Sequence, residues 1–432
     1  MYVDLYLDKY EKGPLYVKRL AYICQEFPVS ADVVHKLLDM IVDPESPYKY
    51  FKDTPRLLRI TGNGVYLQRY NELQATTDWK PNFDDELFKL SKLEPTQANF
   101  ERIVDLLHLR TVHTLMTTAS SDNVGDNSGF YYNLGSEYSA MFRKRSFREL
   151  RKLIVYKAYD GNLASSTVFL RRKLQQVLEY EHDDESDDDD RMDSDEYNLD
   201  KEEAVAYWTC RWYLLYALFL GNNYQAVVEE YFQLTKEPAV SGYTALDVLA
   251  NEYSNELIFK EYLLRTVCFS VLVAEKMQNL ETRWTDMIRE SFASDPPLRK
   301  LIKLYTGCRF SDLKTVLTEF QSEFDYDEQL SHSYRLWKRT FEYKICVFYL
   351  SLVKRVTFDH LEAVLGTTSE EITKLISLFK LRVKIDQKNN LVEFQDTDSY
   401  IELDKQIQSL NDATVAEMRA LEVNRMVKEA FD

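Results

Sequence analysis

The sequence predicts an all-α protein that carries one small β wing near its end. The 432-residue chain contains only 11 Gly and 10 Pro, a composition that favours long helices over a turn-rich β protein. Apolar residues recur at three- and four-residue steps through most of the chain, which is the spacing of amphipathic helices. Two short segments around a polar turn, LRVKID and LVEF, predict the wing. A chain of this length is expected to form more than one folding unit.

Residues 1–180 form the predicted N-terminal helical region. Val17, Leu20 and Cys24 share one helical face, and the same spacing continues toward Tyr180. The stretch TTASSDNVGDNSG from Thr117 is predicted to be a loop, because small polar residues and two glycines interrupt the pattern. No run approaches the roughly 18 apolar residues of a membrane span, so we expect a soluble protein of the cytoplasm and nucleus that has no membrane partner.

Residues 181–204 are predicted to be an acidic linker. Between Glu181 and Glu203, 14 acidic residues stand against Arg191 and Lys201, so this stretch carries a net charge of -12 out of -17 for the whole chain. Such a run repels itself and stays solvated. An acidic docking tail for a basic partner stays open as a second interpretation. Ser186, which precedes four aspartates, is a candidate site for an acid-directed kinase.

Residues 205–330 are predicted to form a helical-repeat region of the tetratricopeptide type. The stretch WTCRWYLLYALFLGNNYQAVVEEYFQL gives one helix from about Tyr207 to Leu220 and a second from about Tyr224 to Leu234, with a turn at GNN. Another helix is predicted to begin at Pro296, because proline is favoured in the first helical turn. Stacked hairpins of this kind form a curved array, although no strict repeat period can be counted here.

Residues 331–395 have the pattern of a winged helix. A helix from about Tyr334 to Lys354 leads to Thr357, the predicted N-cap of the short helix FDHLEAVL, which Gly366 ends. A second helix begins at Ser369 and is expected to bury its apolar side chains, Ile372, Leu375, Ile376 and Phe379. The two strands around the turn QKNN complete the domain.

Residues 396–432 are predicted to form a C-terminal assembly helix. From Tyr400 onward, apolar side chains recur at helical steps: Leu403, Ile407, Leu410, Met418 and Leu421. An exposed stripe of this kind is unfavourable in water, so the helix is expected to pack against partner helices.

The charge of the predicted winged helix does not favour duplex DNA. From Ser369 to Phe394, five basic residues stand against four acidic ones, whereas a DNA-reading helix and wing present a basic face to phosphates. We therefore expect protein partners. A small RNA contact through Lys380, Arg382 and Lys384 stays open.

The sequence contains no assembled catalytic set. His108 and His113 lie five residues apart in LLHLRTVH, which is not a metalloprotease motif. His360 has no activated nucleophile beside it in the sequence, and Cys308 lies in a predicted turn between helices. We expect no enzyme activity, no metal and no cofactor. The five widely spaced cysteines are expected to be buried thiols of a reducing compartment.

Three stretches carry a family resemblance. They are YEKGPLYVKRLAYICQEFP (10–28), LIKLYTGCRFSDLKTVLTEF (301–320), and YRLWKRTFEYKICVFYLSLVKRVTFDHLEAVLG (334–366) together with LRVKIDQKNNLVEF (381–394). They resemble the PCI-domain family, which is shared by the proteasome lid, the COP9 signalosome and translation initiation factor 3. The finer similarity is to COP9 signalosome subunit 1, in a divergent budding-yeast form of the subunit 11 type, and to its proteasome-lid counterpart. Phe379 and Lys380 depart from the family, which usually has a glycine before the first wing strand.

The resemblance implies a non-catalytic scaffold subunit of a COP9 signalosome-like complex that supports cullin deneddylation through PCI-PCI assembly. Its implied partners are other PCI-domain subunits, with cullin ligases and translation initiation factor 3 as further ones. The implied partner-binding residues are the terminal-helix stripe and five wing positions, Leu381, Val383, Ile385, Leu391 and Val392. Two alternatives stay open: a proteasome-lid or initiation-factor subunit with the same architecture, and a nucleic-acid-binding adaptor.

Overall fold

The computed structural model of the protein describes residues 7–79, 81–117, 127–183, 199–276, 280, 295–353, 355–378, 383–386 and 388–394. These residues are mostly helical and include one three-stranded antiparallel sheet, which confirms the predicted all-α class with a small β wing. Several predicted features lie outside the described residues, namely Ser186 with most of the acidic linker, Phe379, Lys380, Leu381 and Arg382 before the wing, and the terminal helix with Leu403, Ile407, Leu410, Met418 and Leu421.

Ten helices precede the acidic segment in the described part of the chain. They are α1 (Pro14–Glu26), α2 (Ala31–Ile41), α3 (Thr54–Thr61), α4 (Gly64–Thr76), α5 (Phe83–Ser91), α6 (Gln97–Thr117), α7 (Ser128–Asn133), α8 (Ser136–Arg143), α9 (Ser146–Tyr159) and α10 (Thr167–Asp183), with a 3-10 turn at Ala164–Ser166.

Nine helices and three strands follow the acidic segment among the described residues. They are α11 (Lys201–Leu220), α12 (Tyr224–Leu234), α13 (Ala245–Asn251), α14 (Lys260–Ala274), α15 (Pro296–Thr306), α16 (Phe310–Phe324), α17 (Glu328–Val353), β1 (Arg355–Thr357), α18 (Phe358–Leu365), α19 (Ser369–Leu378), β2 (Val383–Asp386) and β3 (Leu391–Phe394). Not one of the helices described here has both the length and the apolar character needed to span a membrane.

The chain forms two compact units. The first comprises Met1–Ala217 and Phe232–Lys260, and the second comprises Leu218–Tyr231 and Glu261–Asp432. The helices on both sides of the acidic segment, α10 and the start of α11, therefore belong to the first unit, and the segment joins two elements of that one unit. The finer division of the chain at residues 180, 204, 330 and 395 stays a prediction.

In the first unit, α1 contacts four other helices, α2, α3, α6 and α9. Its apolar residues from Leu15 to Ile23 are buried, as the spacing predicts. A second cluster joins α5, α6, α7 and α8 and consists of Leu87, Phe100, Ile103, Val104, Leu107, Tyr131, Tyr138 and Phe142. Removal of apolar area from water stabilises such clusters by about 25 cal/mol per Å².

Helix α11 begins at Lys201, earlier than the predicted start near Tyr207. Asp200 caps it, because its Oδ1 accepts a hydrogen bond from the amide of Glu203 at 2.8 Å. Glu203 is only 2% exposed, so a residue that the charge pattern assigned to a solvated linker lies in the core. The predicted turn before α12 is confirmed, with Asn222 in the left-handed region at φ 57.

The core of the second unit is built on aromatic side chains and one buried lysine. Phe269 of α14 stacks on Trp337 of α17 with ring centroids 4.3 Å apart. Lys344, 4% exposed, reaches the end of α14 and donates hydrogen bonds to the carbonyl oxygens of Leu272 at 2.8 Å and Val273 at 3.0 Å. A helix end leaves its last carbonyls without intrahelical partners, so this ammonium group completes α14.

Four of the five cysteines are buried, as expected, but Cys308 is exposed. Cys308 lies in the left-handed region, at φ 54, in the tight turn between α15 and α16. The expectation of a buried thiol is therefore wrong at this position, because a two-helix turn places its middle residue in solvent. Burial raises the pKa of the Cys24 thiol to about 11 and that of Cys346 to about 12.

Candidate functional site

Residues 355–394 form a compact element of the second unit, which we call the helix–sheet module. Its described elements follow one another as β1, α18, α19, β2 and β3, the order of a winged helix whose first helix is α17. The sheet order is β1-β3-β2, with both pairings antiparallel. Two side chains of α17 share the core with six of the module: Cys346, Leu350, Val356, Phe358, Leu361, Ile372, Ile376 and Val392.

Strand β1 is absent from the sequence prediction, in which the helix that ends near Lys354 leads directly to Thr357. Val356 pairs with Val392 in the middle of β3. A three-residue strand has too few residues to show an alternating pattern, and its partner lies far away in sequence. The apolar Val356 between two polar neighbours was the only available signal.

The two caps of α18 are those that the sequence predicts, and α19 begins at Ser369 as predicted. Thr357 accepts a hydrogen bond from the amide of His360 at 3.3 Å and starts α18. Gly366 ends it in the left-handed region at φ 64, which favours glycine. For α19 the capping residue is Thr368, whose hydroxyl accepts from the amide of Glu371 while the Glu371 carboxylate accepts from the amide of Thr368. This reciprocal pair is a capping box.

The module is fitted closely against α16. A Cβ atom placed on Gly366 would lie 3.2 Å from the Cα of Ser311, so a side chain there would require the α16 backbone to shift by a few tenths of an ångström. Lys314 of α16 donates a hydrogen bond to the carbonyl oxygen of Gly366 at 3.1 Å. Beside this contact lies a cavity of about 30 Å³, lined in part by Lys314, Glu342 and Leu375, with room for about one water molecule.

The predicted partner-binding residues of the wing divide into buried and partly exposed positions. Val392 is fully buried at 0% exposure, so its side chain stabilises the module instead of facing a partner. Val383 and Ile385 are partly buried and pack against the same core. Leu391 is also partly exposed. The apolar residues of the wing therefore contribute mainly to the core of the module itself. Most of the exposed residues described in the wing are polar.

The exposed face of α19 has little attraction for phosphate. Glu370 and Glu371 are exposed in its first turn, followed by Thr373, Lys374 and Ser377. In a DNA-reading winged helix this turn approaches the nucleic acid, where two carboxylates would meet phosphate charges. Over residues 355–394 as a whole, six basic and six acidic residues cancel.

Strand β2 lies at one edge of the sheet. Among the described strands it pairs only with β3, in a register that places Lys384 opposite Glu393. Its turn is fixed by Asp386, whose Oδ1 accepts hydrogen bonds from the amides of Lys388 and Asn389 at 3.1 and 3.3 Å. An edge strand carries backbone donors and acceptors that can pair with another chain.

The histidines that the sequence singled out have structural partners. His108 lies between the Glu149 carboxylate, 3.2 Å from its Nε2, and the Tyr156 hydroxyl, 3.0 Å from its Nδ1. His113 packs against aromatic rings, and burial lowers its pKa. His360 Nε2 lies 2.7 Å from the Tyr349 hydroxyl. Within the described residues, no group of three or more His, Cys, Asp or Glu side chains is placed to hold a metal ion.

Comparison with known proteins adds no further assignment. No protein-family model matches the chain, and no curated protein matches it.

Proposed function

We propose that the protein is a non-catalytic scaffold subunit of a COP9 signalosome-like complex, assembled through PCI-domain contacts. Its role is to support cullin deneddylation by a sister subunit in the cytoplasm and nucleus. The helix–sheet module contacts the equivalent modules of neighbouring PCI subunits, and residues 400–432 join helices of those subunits. Cullin ligases and translation initiation factor 3 are further partners of this proposal.

The observation that carries the proposal is the combination of a charge-neutral module with an unpaired edge among its described strands. The six acidic and six basic residues of 355–394 give no field that would attract a polyanion. Strand β2 offers backbone hydrogen-bonding groups instead. Both features favour a protein partner over a nucleic acid.

The packing of the helix–sheet module against α16 also supports a scaffold role. Gly366 and Lys314 fix α18 to α16, and α16 packs in turn against α15 and α17. A partner held by the module is thereby connected to a rigid array of helices. A binding surface that is packed against helices keeps its position, and a scaffold subunit needs this to hold its neighbours in fixed relative positions.

Affinity purification tests the proposal. A tagged full-length chain is isolated from its native cells at physiological salt, and the co-purified proteins are identified by mass spectrometry. We expect several PCI-domain subunits of one signalosome-like complex together with its metalloprotease subunit. Recovery of proteasome-lid or initiation factor 3 subunits in their place would assign the chain to those complexes instead, and recovery of no PCI protein would reject the proposal.

Nucleic-acid binding is tested on the same full-length chain. Titration with duplex DNA and RNA should give only weak binding, because a charge-balanced module can neutralise few phosphates, and physiological salt should reduce that binding further. A specific complex that persists at physiological salt would favour the adaptor alternative.

A further inference from the structure

Helix α3 of the first unit has an outward face that the proposed function does not use. The buried side chains of this helix are Thr54, Leu57 and Leu58, and the helix contacts α1. Residues three and four apart share one side of a helix, so the opposite side is formed by the remaining positions. These are Pro55, Arg56, Arg59 and Ile60, all of them exposed. We call these four residues the α3 face.

The α3 face is positively charged. Arg59 Nε donates a hydrogen bond to a backbone carbonyl oxygen of its own helix at 3.3 Å. Within the part of the chain that the structure describes, neither Arg56 nor Arg59 forms an ion pair with a carboxylate. Residues 54–71 contain three arginines and no acidic residue, in a chain of net charge -17. The third arginine, Arg69 of α4, lies 3.9 Å from Asp39 at an exposed position. Such a surface attracts a negatively charged ligand.

Exposed apolar side chains accompany these arginines. Ile60 is 53% exposed in the last turn of α3, and Val65 and Leu67 are 63% and 49% exposed in the first turn of α4. Gly62 and Asn63 alone separate the two helices. Three large apolar side chains therefore lie within about one helical turn of a single short connection. Exposed apolar side chains that occur together often mark a surface for a partner.

The spacing of Arg56 and Ile60 fits an extended peptide. The two residues are four positions apart, so they lie on the same side of α3 at a distance of about 6 Å along its axis. In an extended chain every second side chain points the same way, at intervals of about 6.6 Å. A peptide with an acidic residue and an apolar residue two positions apart can therefore place a carboxylate at Arg56 and the apolar side chain at Ile60.

A nucleic acid or a membrane fits this face less well. Single-stranded nucleic acids stack on exposed aromatic side chains, but the aromatic residues of α3 and α4, Tyr66 and Tyr70, are buried. Anionic membranes are recognised by clusters of about four to eight basic residues, whereas residues 54–71 contain three. An acidic peptide needs only a few cations beside apolar side chains, which is the combination that the α3 face offers.

We propose that the α3 face is a docking site for an extended acidic segment of a partner protein, in which acidic and apolar residues stand two positions apart. Carboxylates of the segment pair with Arg56 and Arg59, and its apolar side chain packs on Ile60. Val65 and Leu67 extend the apolar surface beyond the turn. This inference is independent of the proposed scaffold function.

Titration of a synthetic peptide into the full-length chain tests the proposal. The fluorescein-labelled acidic probe repeats the unit Glu-Ser-Leu-Ser, which places carboxylates and leucines two positions apart. In the matched neutral peptide, glutamine replaces glutamate. Anisotropy at low salt should show that the acidic probe binds about tenfold more tightly, and added salt should weaken this binding because exposed ion pairs are screened. Equal affinity for the two peptides, or no binding of the acidic probe, would overturn the proposal.

Substitutions on the α3 face locate the binding. Arg56→Gln together with Arg59→Gln should weaken binding of the acidic probe about fivefold, as expected for two exposed ion pairs. Ile60→Ser should also weaken it about fivefold through the lost apolar contact. The matched controls are Arg102→Gln and Leu109→Ser, which replace exposed residues of α6 in the same unit and should leave the affinity unchanged. Equal losses on α3 and on α6 would contradict the proposed site.

Charge reversal provides a gain of binding as a second readout. The chain with Arg56→Glu and Arg59→Glu should lose the acidic probe and should bind a lysine probe, in which lysine replaces glutamate, about fivefold more tightly than the native chain does. Phosphatidylserine vesicles and poly-uridine RNA are titrated at the same salt. Unchanged affinity for the lysine probe would overturn the proposal. So would tighter binding of vesicles or RNA than of the acidic probe, lost on the same substitutions.

Discussion

Glu203 caps the first turn of α9 from another helix, because its Oε2 accepts a hydrogen bond from the amide of Phe147 at 2.8 Å. Its second oxygen lies 2.7 Å from Arg148 Nε. The start of a helix leaves amide groups without partners and carries partial positive charge. One buried carboxylate therefore joins the starts of α9 and α11 within the first unit.

Loss of Arg148 should destabilise the protein through the charge that it leaves behind. At a pH above about 7, where Glu203 is charged, Arg148→Met is expected to lower the free energy of unfolding by about 3 kcal/mol, since Glu203 would stay buried without its cation. The exposed Arg172→Met is the matched control and should change it by less than about 0.5 kcal/mol. Urea unfolding followed by tryptophan fluorescence measures both. Equal effects of the two substitutions would contradict the assignment of Glu203 as a buried ion-pair member.

The free energy of unfolding should depend on pH through the buried Glu203. Burial raises its pKa from 4.5 to about 7, although hydrogen bonds from Arg148 and from the Phe147 amide oppose this rise. Between pH 4.5 and about 7, Glu203 therefore keeps a proton in the folded chain that it has lost in the unfolded chain. Stability from this group is full below about 4.5 and declines as the pH rises toward 7.

Glu203→Gln isolates that effect. The difference in unfolding free energy between the native chain and this variant should fall across the same pH interval, by up to about 3 kcal/mol from the size of the pKa shift. Urea unfolding at several pH values measures the difference. A difference that stays constant or increases with pH would show that the folded chain keeps Glu203 charged throughout.

A side chain at Gly366 should destabilise the protein more than one at Gly62, which provides a matched control. Both are helix-ending glycines with similar φ, 64 and 63, but a Cβ at Gly366 would meet Ser311 and one at Gly62 would meet nothing within 4 Å. Gly62→Ala should cost about 1 kcal/mol from the left-handed conformation alone. Gly366→Ala should cost about 2 kcal/mol more through the close contact. Equal costs in thermal unfolding would mean that α18 does not approach α16 as described.

Lys344 should be essential to the second unit despite carrying a buried charge. Lys344→Met removes the donor that pairs with Leu272 and Val273 at the end of α14. Each buried carbonyl left without a partner lowers the free energy of unfolding by about 1 to 3 kcal/mol. Lys338→Met, which replaces another lysine of α17, is the control, and the decrease for Lys344→Met should be several times larger. Chemical unfolding compares the two variants. Comparable stability of the two would exclude a structural role for the Lys344 ammonium group.

Removal of residues 400–432 should separate assembly from folding. The truncated chain is expected to lose co-purification with PCI-domain partners, because under the proposed function the apolar residues of the deleted region pack against partner helices. Its thermal unfolding midpoint should stay close to that of the full chain. Four substitutions of polar residues within 400–432 serve as the control and should keep the partners. Normal assembly of the truncated chain would reject the proposed role of the terminal region.

Sequence reasoning succeeded where the signal is local. Thr357, Gly366 and the proline start of α15 are recognisable because each acts on backbone groups a few residues away. It failed where a residue depends on a distant partner, as at Val356 and Glu203. The same limit applies to the wing, where the alternating pattern marks Val392 as apolar but cannot tell a core from an interface. Nothing in composition reveals that the acidic stretch ends in a buried carboxylate.

The interleaving of the two compact units has a consequence for how the protein is made. Residues 232–260 complete the first unit but follow residues 218–231, which belong to the second. A ribosome must therefore release the chain beyond Lys260 before the N-terminal unit can finish folding, and this unit cannot form early as an independent body. A fragment that ends at Ala217 would leave the first unit without residues 232–260, so a fragment meant to contain this unit has to extend to Lys260.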